Sequence, residues 1–157
     1  MAEATPSELE ARLRADVQDA QRQRDQVRLD TLRLALNAFH QEEVARTDRD
    51  NANYGNILTE NDRLAILEKQ VKQRNEAALL YRKGNRAELA EKEEREASII
   101  QAYLPARLTD DELRQVVSNL VAQHGRDFKT IMPLAAKETK GRAEGARVQQ
   151  IVRELTS

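Results

Sequence analysis

Lys140-Gly141-Arg142-Ala143-Glu144-Gly145 places two glycines and two cations between stretches that read as short helices. Glycine admits backbone conformations that side-chain-bearing residues resist, and a following helix start adds free N–H groups carrying partial positive charge. A bent, basic turn of this kind can hold an anion. On these residues alone, Gly-x-x-x-Gly between helices is most often only a C-cap followed by a loop. The surrounding charge adds weight to the first reading: Lys129, Lys137, Lys140, Arg142 and Arg147 cluster about the turn. A second basic grouping runs from Lys69 to Arg86, with Lys69, Lys72, Arg74, Arg82, Lys83 and Arg86 against Glu76. Helical geometry puts Lys69, Lys72 and Lys83 on one side, as a phosphate-contacting ridge or as a solubilising helix surface. Aromatics make up only 3% of the chain, which argues against stacking on single-stranded bases and favours the backbone of a folded RNA.

Other chemistries find little material. The chain has no cysteine, so thiol catalysis and disulfides are excluded. His40 and His124 stand far apart in sequence and read as surface or cap residues, and no metal site is expected. Ser7, Ser98, Ser118 and Ser157 lack a nucleophile elbow or a Ser-x-x-Lys context. The carboxylates Glu88, Glu91, Glu93, Glu94 and Glu96 are interleaved with Lys92 and Arg95, the pattern of a solvated helix face laced with i,i+4 pairs. There is no Walker loop and no Gly-x-Gly-x-x-Gly, so no nucleotide cradle is visible. Neither a catalytic residue nor a cofactor is expected.

The elements that must position these residues are helical. Charged residues are 34% of the 157, with three prolines and five glycines. The formal net charge of −1 leaves no bulk attraction for nucleic acid, so binding must come from local patches. The acidic N-terminus Met1-Ala2-Glu3-Ala4-Thr5-Pro6 has no signal-peptide character, and no apolar run approaches the roughly 20 residues that span a bilayer. A cytoplasmic location with no membrane partner is expected.

Ser7-Glu8-Leu9-Glu10 reads as a capping box, and Leu9, Leu13, Val17 and Ala20 then recur at helical spacing. The pattern breaks near Arg24 and resumes with Leu29, Leu32, Leu36 and Phe39. Asp50-Asn51-Ala52-Asn53-Tyr54-Gly55-Asn56 reads as a mobile loop. A third helix starts at Thr59 and carries Leu64, Leu67, Val71, Ala78 and Tyr81 on one face, ending at Gly84-Asn85. A fourth runs from about Arg86 to Tyr103, where Pro105 prevents simple continuation. Thr109-Asp110-Asp111-Glu112 opens a fifth, closed by Gly125. Asp127 caps a sixth, which Pro133 should kink or shorten, and the last runs from near Glu144 to Thr156. No strand pattern is present. The expected architecture is all-α: a domain of about four helices over residues 1–104, then a small three-helix tail over 105–157. The two parts differ in charge, with 17 Lys/Arg against 20 Asp/Glu in the first and 9 against 7 in the second.

Three separated stretches, in order, carry a family resemblance over nearly the whole chain. Lys69-Gln70-Val71-Lys72-Gln73-Arg74, Tyr103-Leu104-Pro105 with the residues up to Leu113, and Lys140-Gly141-Arg142-Ala143-Glu144-Gly145 resemble the corresponding elements of the bacterial YqeY proteins. The resemblance implies a helical N-terminal domain and a tail similar to that of the B subunit of the glutamine-dependent aminoacyl-tRNA amidotransferase, where the tail helps engage tRNA and the chemistry resides elsewhere. Lys140, Gly141, Arg142, Ala143 and Gly145 match cleanly. Glu144 replaces the usual Asp, Pro133 a glycine and Lys137 a proline. The expected function is binding of tRNA, or of a tRNA-handling complex, with Lys137, Lys140, Gly141, Arg142, Gly145 and Arg147 in the tail and Lys69, Lys72 and Lys83 on the ridge as nucleic-acid-binding residues. An accessory role in glutamine-dependent carbon–nitrogen ligation, and a protein adaptor that binds no RNA, stand as alternatives.

Overall fold

A computed structural model describes residues 6–157; the reading of the N-terminus as free of a signal segment falls mainly on residues 1–5, outside the described residues. Among the described residues there are seven α-helices and no strand, as the patterning requires. None of these helices is long and apolar enough to cross a membrane. The chain divides into two compact units, Met1–Leu104 and Pro105–Ser157.

The first unit contains α1 (Glu8–Arg22), α2 (Gln26–Ala45), α3 (Glu60–Lys83) and α4 (Ala87–Gln101). Helix α1 begins where the Ser7 hydroxyl accepts a hydrogen bond from the Glu10 N–H at 2.9 Å. The reciprocal half of that capping box is not made, because the Glu10 carboxylate turns to Arg14 at 2.8 Å and Arg63 at 3.4 Å. The break between α1 and α2 falls at Arg24, whose φ of 56° is left-handed. At the α3–α4 corner it is Asn85, at φ 58°, that takes this conformation and not Gly84, consistent with the tolerance of asparagine for it. The unit closes around Leu13, Leu32, Phe39, Leu67 and Ile100, all fully buried. Leu13, Leu32, Phe39 and Leu67 fall on the helical stripes expected from the sequence, whereas Ile100 of α4 had no such assignment.

Two features depart from expectation. The 46–59 connection is a run of bonded turns and not a loose loop. Arg46, buried at its start, donates to the Ile57 carbonyl at 3.1 Å and to Asp62 at 3.2 Å, and the Gly55 N–H reaches back to the Arg46 carbonyl at 3.0 Å. Asp62 also completes the capping box with Thr59. Its carboxyl is held below the usual range by the Thr59 backbone N–H first, with the Thr59 hydroxyl and the Arg46 guanidinium adding to it. The acidic face of α4 is likewise not a self-contained ladder. Glu93 and Glu96 pair with Arg74 of α3, and Glu94 takes both Nε and a terminal nitrogen of Arg82 at 2.9 and 2.8 Å. Only Lys92–Glu96, at 3.9 Å, has the i,i+4 form.

The second unit packs α5 (Asp110–His124), α6 (Phe128–Thr139) and α7 (Gly145–Thr156) around Leu113, Val117, Ile131, Val148, Ile151 and Val152. Thr109 and Glu112 form the expected capping box, and Gly125 ends α5 at φ 87°. Pro133 does not shorten α6, which continues through it to Thr139. Its exposed position leaves the carbonyl it cannot satisfy near solvent.

Candidate nucleic-acid interface

The glycine turn connects α6 to α7. Its backbone is a type II β-turn over Thr139–Arg142: Lys140 sits at φ −55°, ψ 128°, Gly141 at φ 78°, and the Arg142 N–H donates to the Thr139 carbonyl at 2.9 Å. The left-handed third position explains why residue 141 is glycine. The Thr139 side chain is buried and bonds the Ala135 carbonyl at 2.7 Å, and the Leu108 N–H donates to the Arg142 carbonyl at 2.8 Å, tying the turn to the entry of α5. Gly145 differs. It is the first residue of α7, and a Cβ built there would meet nothing within 4 Å, so neither backbone conformation nor packing demands glycine.

The charge around this turn is unequally available. Lys137, Lys140 and Arg142 are exposed, and none of them is in an ion pair among the described residues. Arg147 is different. Its Nε and a terminal nitrogen grip the two carboxylate oxygens of Asp110 at 2.9 and 2.6 Å, and a third nitrogen reaches Gln150 at 2.7 Å. The pair shifts both partners, raising Arg147 and lowering Asp110, each chiefly through this hydrogen bond. Arg147 therefore braces α7 against the start of α5, a partner 37 residues away that no local pattern could reveal. Glu144, the N-cap of α7, makes no side-chain cap bond and lies 3.6 Å from Arg107. The first N–H groups of α7 thus have no side-chain cap.

Lys69, Lys72 and Lys83 belong to the other unit and share the outer face of α3, exposed and outside every ion pair among the described residues. Their neighbours Arg74 and Arg82 are engaged by α4 carboxylates. Glu76 and the exposed Leu79 and Leu80 occupy the same outer region, so this ridge carries less net charge than the cation count between Lys69 and Arg86 suggested.

Fold and site together define an all-α protein of two helical units, the second presenting free cations at a glycine turn. A family model for YqeY-like proteins matches residues 10–156, and the chain belongs to that family. No curated protein matches it.

Proposed function

We propose that the chain is a binding module that engages tRNA, or a complex handling it, through phosphate contacts made by the 105–157 unit. What supports this most is the group Lys137, Lys140 and Arg142, exposed and unpaired around a turn that opens onto the uncapped start of α7. Lysine and arginine supply the charge, and the helix N-terminus supplies oriented N–H groups and partial positive charge, the combination that suits a phosphate oxygen. Gly145, for which the fold has no evident need, keeps the backbone there open to close approach. The tRNA assignment itself comes from the likeness of this segment to the amidotransferase tail.

Binding of this kind falls steeply as salt rises, because each neutralised phosphate releases condensed counterions. Replacing Lys140 and Arg142 by glutamate should weaken retention of tRNA and reduce the salt slope by about 1 for each phosphate left without its cation. The same reversal at the exposed Arg33 and Arg49 should do little. Retention by the parent that ignores salt, or a double variant that binds as well as the parent, would remove the RNA reading and leave the protein adaptor.

A further inference from the structure

Pro133 stands in the interior of α6 and is exposed. Proline carries no N–H, so the Lys129 carbonyl, one turn earlier, has no α-helical donor. The missing bond would run along the helix from residue 129 to residue 133, and both residues are exposed, so this carbonyl lies on the outer edge of α6 where a ligand can reach it. A proline there costs the helix stability that almost any other residue would restore. Ile131 and Ala135 carry core contacts of α6 on the side away from Pro133, so packing gives no reason for the proline.

Lysines flank this carbonyl along the same edge. Residues four apart on an α-helix are turned by only about 40° from one another, so Lys129, Pro133 and Lys137 form one row about 12 Å long. Lys140 carries the row on to the glycine turn. Lys129 and Lys137 are exposed, and neither is in an ion pair among the described residues. Lys129 is also the second residue of α6, where the helix dipole disfavours a cation, and the first turn holds no acidic residue to offset it. Asp127, the nearest carboxylate in sequence, takes the Thr130 hydroxyl at 2.7 Å.

We propose that this row extends the RNA interface of the 105–157 unit, with the Lys129 carbonyl accepting a hydrogen bond from a ribose 2′-hydroxyl while Lys129 and Lys137 hold phosphates on either side. The inference rests on the RNA reading of that unit. A nucleic-acid backbone offers phosphate and ether oxygens that only accept, and the 2′-hydroxyl is its one hydrogen-bond donor. An acceptor set between two phosphate-binding cations therefore selects ribose over deoxyribose without reading any base. Pro133 determines this specificity because its missing N–H is what keeps the acceptor open.

The test titrates the full-length protein with one stem-loop made twice, as RNA and as its 2′-fluoro counterpart, which keeps the A-form shape and the phosphates but has no 2′ donor. The parent should bind the RNA roughly two- to tenfold more tightly, the worth of one hydrogen bond. Pro133→Ala and Pro133→Gly both restore the N–H, so each should bring the two affinities together by weakening RNA alone, and Pro133→Ala should raise the urea midpoint. Lys129→Gln should weaken both ligands equally and lower the salt slope by about 1. Equal affinity of the parent for the two stem-loops, or a preference that survives in both proline variants, would overturn the 2′-hydroxyl contact and leave phosphate binding standing. An unchanged salt slope in Lys129→Gln would overturn the row along α6. Retention of both stem-loops by the parent that ignores salt would remove the RNA reading and this inference with it.

Discussion

The Tyr103 hydroxyl donates a hydrogen bond to Asp16, 87 residues earlier in the chain. Arg28 lies 3.7 Å from the other oxygen of the same carboxylate, and the Arg12 guanidinium sits over the tyrosine ring, 4.7 Å from its centroid. Tyr103, two residues past the end of α4, is thereby fastened to α1 and α2. Tyr103 of the Tyr-Leu-Pro stretch thus has a structural use within the first unit.

Burial, and then the bond to Asp16, push the Tyr103 hydroxyl up from 10.0 to about 12. The folded state therefore keeps this proton more tightly than the unfolded chain does. The associated stability is complete below pH 10 and drains away as pH rises toward about 12. Tyr103→Phe should cost about 1–2 kcal/mol near neutrality, through removal of the bond to a carboxylate. It should also flatten the decline of the urea midpoint between those pH values; an equal decline in both chains would separate Tyr103 from the effect.

Of the α3–α4 ion pairs, Arg74–Glu96 and Arg82–Glu94 should differ in worth. Arg74 and Glu96 are 15% and 14% exposed, whereas Arg82 and Glu94 are 47% and 45% exposed. Glu96→Gln should destabilise by about 1.5–3 kcal/mol, because it uncouples a charge held largely away from water. Glu94→Gln should leave the urea midpoint almost where it was, since solvent screens that pair. Denaturant titration of the two variants side by side decides it.

The two glycines of the turn should respond in opposite directions to alanine. Gly141→Ala forces a side chain into a left-handed position and should cost about 1–2 kcal/mol. Gly145→Ala meets open space in a helical first turn and should gain about 0.4–1 kcal/mol. If Gly145 serves close approach to phosphate, that gain in thermal stability will come with weaker tRNA retention.

The 105–157 unit has its own buried core, built from α5, α6 and α7. Expressed alone, it should give a helical circular dichroism spectrum at low temperature, with marginal stability for so short a chain. A random-coil spectrum would mean that it depends on residues 1–104.

Features governed by neighbours within a turn or so of chain are legible in the residues themselves. Ser7, Thr59 and Thr109 start their helices because each side chain accepts from a backbone N–H three residues on. Leu13, Leu32, Leu67, Val117 and Ile151 are buried because apolar residues at helical spacing make a single stripe that must leave water. Gly141 was legible as a special position, though its type II turn was not. Which charges remain free is set by packing between helices distant in the chain. Arg147 is claimed by Asp110, Arg74 and Arg82 are taken by α4, and Arg46 is drawn into the core to bond Ile57 and Asp62. Only the packed helices, too, brought Asn37 and Gln41 opposite Gln70 and Gln73. A charge or an amide on a helix carries no mark of its partner until two faces meet, and those faces are chosen by apolar burial, which is indifferent to the polar groups it brings together.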